Sequence, residues 1–271
     1  MITSINNSQI KNIIALNKKA RERKAQRLFV VEGLRAVSEV PGELISAVFC
    51  VEDFKENPEG KDFINQLSIK APNAPLEEVA ERVFKSMCDT VTPQGILAVV
   101  KMQDFTMDDV LGAGSDKSAH IVILESLQDP GNMGTIIRTA EGAGATGIIM
   151  NNTTVDLYSP KVVRSTMGSI FRVPHLIVQD LGATVKTLED QYNVAVYAAH
   201  LKGYRNYDEM DFTSPIAFMI GNEGNGLTDE ISQLATSYLK IPMEGQLESL
   251  NASVAASILM YETSRQRRTR G

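Results

Sequence analysis

Short apolar runs alternate with helical segments along the whole chain, and no other feature constrains its fold as tightly. LFVVEG (28–33), LISAVFCV (44–51), GILAVVKM (95–102), HIVILE (120–125), GIIM (147–150), NVAVYAA (193–199), IAFMIG (216–221) and YLKIP (238–242) read as strands. They are short, mostly rich in β-branched residues and bounded by turn formers. Helices are expected over 8–26, 34–40, around 61–67, over LEEVAERVFK (76–85), over 133–142, and from Leu250 to about Arg267. That alternation predicts an α/β protein. With 271 residues there is room for two domains and not three. A polar, acidic stretch over 103–119 reads as a linker between a smaller N-terminal α/β sandwich (1–102) and a C-terminal domain (120–271).

The formal net charge is −6, which excludes a uniformly basic, histone-like binder. Its placement says more than its total. Seven basic residues lie between Lys11 and Arg27, among them Lys18, Lys19, Arg21, Arg23 and Lys24, against the single Glu22. Arg265, Arg267, Arg268 and Arg270 make a second basic end. Two basic ends on an acidic body fit contact with a polyanion, and they equally fit solvated faces. No apolar run approaches the ~18 residues of a membrane span, and MITSINNSQI has no hydrophobic signal core. Cys50 and Cys88 lack CxxC spacing and read as buried thiols of a reduced, cytoplasmic protein. His120, His175 and His200 are too dispersed for a zinc site, so no metal is expected.

Familiar nucleotide motifs fail on context. Gly142, Gly144 and Gly147 spell G-x-G-x-x-G, but a helix precedes the glycines and a strand follows them. A dinucleotide fingerprint needs the reverse order, so the run reads as a helix C-cap and turn. There is no phosphate loop of the G-x-x-x-x-G-K-[ST] type and no G-x-S-x-G elbow.

Three segments remain, each after a predicted strand. In LESLQDPGNMGTIIRTAEGAGA, Asn132, Gly134 and Arg138 form N-x-G-x-x-x-R, with Asn132 expected to cap the helix. In FMIGNEGNGL, glycines surround Asn222 and Glu223, as a loop approached closely by a ligand requires. In IPMEGQLESLNASVAASILMYE, Ser249, Leu250 and Asn251 stand at the start of the last helix. Each alone reads as ordinary turn or cap chemistry. Together, at the carboxyl ends of strands of an α/β sheet, they favour a ligand site.

In this order the segments resemble the SpoU/TrmH branch of the knotted SPOUT RNA methyltransferases. SPKVVRSTMGSIFRVP (159–174) resembles that family too, and RLFVVEG with TPQGILAVV resembles its ribosomal-protein-like substrate-binding domain. The resemblance covers nearly the entire chain. It implies a C-terminal methyltransferase domain with a trefoil knot, which composition cannot show. It also implies transfer of a methyl group from S-adenosylmethionine to a ribose 2′-oxygen, with 23S ribosomal RNA expected ahead of transfer RNA. Main-chain groups of Gly221, Ile241 and Leu250 would hold the cofactor. Arg138 would stand at the hydroxyl, oriented with the ribose by Asn132, Glu223, Ser249 and Asn251. Arginine stays protonated, so alkoxide stabilisation is favoured over a literal base. Lys18, Lys19, Arg21, Arg23 and Lys24 would meet RNA phosphates. A homodimer through the C-terminal domain is a further expectation of the resemblance. The competing classes are a non-catalytic ribosome-assembly factor and, more remotely, a nicotinamide enzyme.

Overall fold

The structure, a computed structural model, describes residues 1–200 and 203–270. The Arg270 side chain of the basic tail lies outside the described residues. The chain divides into two compact units, Met1–Asp104 with Asp156–Phe171, and Phe105–Val155 with Arg172–Gly271.

The first unit holds four strands, β1 (Leu28–Glu32), β2 (Ile45–Cys50), β3 (Leu76–Glu78) and β4 (Ile96–Lys101), in the order β1-β4-β2-β3. β4 is antiparallel to both β1 and β2, and β3 joins β2 in parallel. β3 lies where the sequence predicts the start of a helix over 76–85. The backbone there is claimed from two sides: Val79 N–H donates to the Cys50 carbonyl at 2.8 Å and Ile2 N–H to Glu78 at 2.7 Å. The helix therefore starts only at Glu81 and runs to Met87. Long-range pairing overrides local propensity here.

The expected basic helix over 8–26 is also divided, into Ser8–Lys18 and Ala20–Gln26, with Lys19 extended between them (φ −126°, ψ 112°). Arg23 explains the break. Its Nη1 donates to the carbonyls of Leu16 (2.5 Å) and Asn17 (3.1 Å), groups that a helix end leaves without partners. Its Nε donates to Asp156 at 2.9 Å. Segment 156–171, expected with the second domain, belongs to the first unit, where Phe171 stacks on Phe29 and Tyr158 meets the same ring tilted at 47°.

The second unit is built on a seven-stranded, all-parallel sheet. Its strands are β5 (His120–Leu124), β6 (Gly147–Asn151), β7 (His175–Val178), β8 (Ala195–Ala199), β9 (Arg205–Asn206), β10 (Ile216–Ile220) and β11 (Ser237–Lys240). Their order is β7-β6-β5-β10-β8-β11-β9. Every residue of β5 and β10 is buried, as expected of central strands covered on both faces. Ile121, Ile123, Val196, Ala217 and Met219 pack with Val185 and Leu188 on one face. The helices Pro130–Ala143 and Ala252–Arg270 pack on each other, and the second also reaches β5 and β10. Gly144 ends the first of them in the left-handed conformation (φ 72°), as the glycine run predicts. Part of the expected linker is itself helical, Met107–Leu111, closed by a capping box between Thr106 and Asp109.

Candidate active site

Each of the three motif segments leaves the sheet at the carboxyl end of a strand or enters the last helix. The first follows β5. Asp129, rather than Asn132, caps the helix Pro130–Ala143: its Oδ1 accepts the Asn132 N–H at 2.8 Å, and Pro130 supplies the first turn without a wasted donor. Asn132 is thereby released from capping, and its side chain points into the polar cluster.

The second segment follows β10. Asn222 and Gly226 exchange two main-chain hydrogen bonds (3.0 and 2.9 Å), closing the loop on itself. A Cβ at Gly221 would stand 2.1 Å from the carbonyl carbon of Gly226, so only glycine fits. The Asn222 amide secures the loop by donating to the Ser126 carbonyl at 2.9 Å.

Glu223 joins this loop to the first segment. Its carboxylate accepts from Gln128 N–H (2.9 Å), Asp129 N–H (2.8 Å) and Asn132 Nδ2 (3.0 Å). Partial burial pushes its carboxyl upward, but the hydrogen bonds from Asn132, Gln128 and Asp129 outweigh it and hold the group below the usual glutamate range. Asn132 Oδ1 in turn accepts from Asn251 Nδ2 at 2.9 Å. Asn251 caps the last helix, taking Ser253 N–H at 2.8 Å and the Ser253 hydroxyl at 2.7 Å. One string, Glu223–Asn132–Asn251, therefore ties all three motifs.

Two of the expected catalytic residues stand outside it. Arg138 is exposed, and neither its side chain nor that of Ser249 makes a hydrogen bond or ion pair among the described residues. Arg138 follows Asn132 by six positions, about one and two-thirds helical turns, so the two side chains leave different sides of the helix. The basic arm is divided too. Lys18, Lys19, Arg21 and Lys24 are partly or fully exposed, whereas Arg23 is 4% exposed and its donors are occupied by Leu16, Asn17 and Asp156. Arg23 is removed from the phosphate-binding set, because it is buried and four of its five N–H donors are spent inside the protein. Gln128 and Asp129 are site-shaping residues that motif spacing alone does not reveal, the DPG turn being the nearest signal, whereas Asn222 stands inside the glycine motif itself.

The residues assigned to the cofactor fit a ligand held by main-chain hydrogen bonds. Gly221 directly follows β10 and Ile241 directly follows β11, both of which border β8. Leu250 adjoins Asn251 and so the central string. The main-chain groups of Ile241 and Leu250, and the Gly221 N–H, have no hydrogen-bond partner among the described residues. Among those residues no cluster of His, Cys, Asp and Glu is arranged for a metal, and no helix is long and apolar enough to cross a membrane.

Comparison with known proteins covers both parts of the chain. Residues 119–261 match the SpoU rRNA Methylase family, and residues 7–98 match the MRM3-like substrate binding domain. The chain is 31% identical over 263 residues to the 23S rRNA (guanosine(2553)-2′-O)-methyltransferase RlmP of Bacillus subtilis, spanning 96% of this chain and 97% of the relative. Its structure is similar to that of the SpoU methyltransferase AviRb from Streptomyces viridochromogenes in complex with AdoMet. There the TM-score is 0.83 at 26% identity, over 97% of this chain and all of that one (100%). An AdoMet-bound rRNA methyltransferase from Sinorhizobium meliloti gives a TM-score of 0.81 at 30% identity, with 97% of each chain covered. With its motifs joined by one hydrogen-bonded string and both of its parts matched, the chain belongs to the SpoU rRNA methylase family.

Proposed function

We propose that this protein methylates a ribose 2′-oxygen of 23S ribosomal RNA with S-adenosylmethionine, acting in the cytoplasm as a homodimer. The observation that carries the reading is the string Glu223–Asn132–Asn251, which holds three distant segments around main-chain groups without internal partners. Gly221, Ile241 and Leu250 would hold the cofactor, whose sulfonium supplies an activated methyl group when bound. Glu223 keeps Asn132 and the turn before it in place. Arg138 supplies a fixed cation and planar donors for the charge that develops on the ribose oxygen. Ser249, beside Asn251, is assigned to the ribose. Positioning of this kind can lower a barrier by up to ~7–11 kcal/mol.

The N-terminal unit is assigned to RNA binding, with Lys18, Lys19, Arg21 and Lys24 on the phosphates. The trefoil threading expected of the family is supported by β10 returning between β5 and β8, and by the last helix returning to Pro130–Ala143. The homodimer is supported by Val254 (46% exposed) and Tyr261 (50%), two turns apart on that helix. The Tyr261 hydroxyl stands 3.0 Å from where a Cβ of Gly142 would be, and Arg138 precedes Gly142 by one turn. A second copy on this face would lie beside Arg138, which accounts for its absence from its own chain's string.

The test is a map of 2′-O-methyl sites in total RNA from deletion and parent strains. Loss of one site in 23S RNA is expected. Loss of a transfer-RNA site would move the target, and an unchanged map would return the protein to the assembly-factor class. Calorimetry with S-adenosylmethionine against NAD separates the remaining alternative.

A further inference from the structure

Glu125 takes no part in the string that joins the motifs, yet it is the only acidic residue buried among the described residues, at 6% exposure. A buried carboxylate is costly unless its oxygens are matched by donors. Both donors here come from one residue. Oε2 accepts the Thr228 N–H at 2.8 Å and Oε1 accepts the Thr228 hydroxyl at 2.7 Å. The main chain of Glu125 holds a second point, its N–H donating to the Ile220 carbonyl at 3.0 Å.

Ile220 and Thr228 are the two ends of the glycine loop. One residue at the end of β5 thus grips both the exit from β10 and the entry to the helix Asp229–Ser232. Between these anchors the loop is closed by Asn222 and Gly226 and leaves no room for a Cβ at Gly221. Its span therefore determines where the Gly221 main chain stands. A glutamine would not serve equally, because its side chain offers one acceptor where Thr228 presents two donors.

We propose that Glu125 is a positioning residue for the cofactor: it holds Thr228 against the end of β5, sets the span of the Gly221–Leu227 loop, and so presents the Gly221 main chain to S-adenosylmethionine. The proposal rests on the cofactor reading above. Its test uses the full chain, with calorimetry of S-adenosylmethionine on the parental protein, Glu125→Gln and Thr228→Val, and amide hydrogen exchange of residues 221–227 without ligand.

Glu125→Gln is expected to stay folded, to speed exchange at Gly226, and to weaken the cofactor by roughly ten- to hundredfold, the size of one charge-assisted hydrogen bond. Thr228→Val keeps the N–H and loses the hydroxyl, so it should fall between the two. KM for the cofactor should rise while kcat at saturation holds, since Glu125 touches no reacting atom. Parental affinity in a folded Glu125→Gln protein, or a loss confined to kcat, overturns the proposal. Should that variant fail to fold, parental affinity and exchange in Thr228→Val overturn it alone. Absence of any heat with the parental protein would instead remove the cofactor reading, and is seen before any substitution is compared.

Discussion

At the amino end of the parallel sheet, Arg267 of the last helix donates to the carbonyls of Ser118 (2.6 Å), Ala119 (2.9 Å), Phe212 (3.1 Å) and Ser214 (2.8 Å). His120 lies enclosed beside it against Phe218. One side chain closes the starts of β5 and β10 together. At the carboxyl end, Glu223, Asn132, Asn251 and Glu125 instead hold loops open around main-chain groups that the protein itself does not use. The comparison teaches that polar side chains stabilise where they are spent on the protein's own carbonyls and serve a ligand where main-chain groups are left without partners. Substitutions at the carboxyl end should therefore change activity with little cost in stability, and those at the amino end the reverse.

The largest expected effect is at the carboxyl end. Arg138→Ala should slow single-turnover methyl transfer by at least about 10²–10³, the loss typical of one preorganised donor. Melting temperature and S-adenosylmethionine affinity should stay near parental, because Arg138 has no partner among the described residues. Arg138→Lys should also lose most activity, since the charge survives and the planar fork does not. Near-parental rates would reduce Arg138 to an exposed helix residue. Glu223→Gln should slow transfer less, by disturbing the turn at Gln128 and Asp129.

Arg267→Ala tests the other end. Removing one guanidinium takes a donor from four carbonyls, of which Ala119 keeps the Ile216 N–H, and denaturant unfolding should show a loss of about 2–3 kcal/mol. Cofactor affinity of the folded fraction should be unchanged. A variant that keeps its stability but loses the cofactor would break the contrast.

Acid separates the two ends more gently. Burial, with the Arg267 charge adding to it, lowers His120 to about 3, and burial lowers His175 to about 4 against the Val173 carbonyl bond that raises it. Unfolded histidine titrates near ~6.5, so the unfolded chain takes protons that these sites refuse. Stability is full above that value and falls as pH drops toward 4. From pH 7 to 5.5 the loss should be about 1 kcal/mol per histidine. Glu223, held below the usual glutamate range, remains ionised in that window, so cofactor affinity should not move.

The N-terminal arm repeats the contrast on a smaller scale. Replacing Lys18, Lys19, Arg21 and Lys24 with Gln should reduce the slope of log K against log salt by about 0.7–0.9 for each phosphate no longer neutralised. Arg23→Gln should leave the slope alone. It should destabilise the first unit instead, on the order of 3–5 kcal/mol, because Asp156 loses its buried partner.

Much of this was legible in the chain. The apolar runs became β5, β6, β8 and β10 within a residue or two, since a strand covered on both faces needs an unbroken apolar run. Gly144 ended its helix as its position implied. What failed did so where distant partners decide. The helix predicted over 76–85 gave way to β3 because Ile2 and Cys50 claim its backbone. Asn132 yielded the cap to Asp129, and Arg23 left the basic face for Asp156, 133 residues on.

By itself, then, the sequence determined the alternation of strands and helices, the glycine loop and the three motifs, because apolar periodicity and turn chemistry act over a few residues. Tertiary structure alone decided which polar residues meet. Asn132 finds Glu223 across 91 residues and Asn251 across 119, while Arg138, in the same motif as Asn132, faces away. A hydrogen bond depends on direction as well as proximity, and direction is set only when the sheet order brings the ends of β5 and β10 side by side.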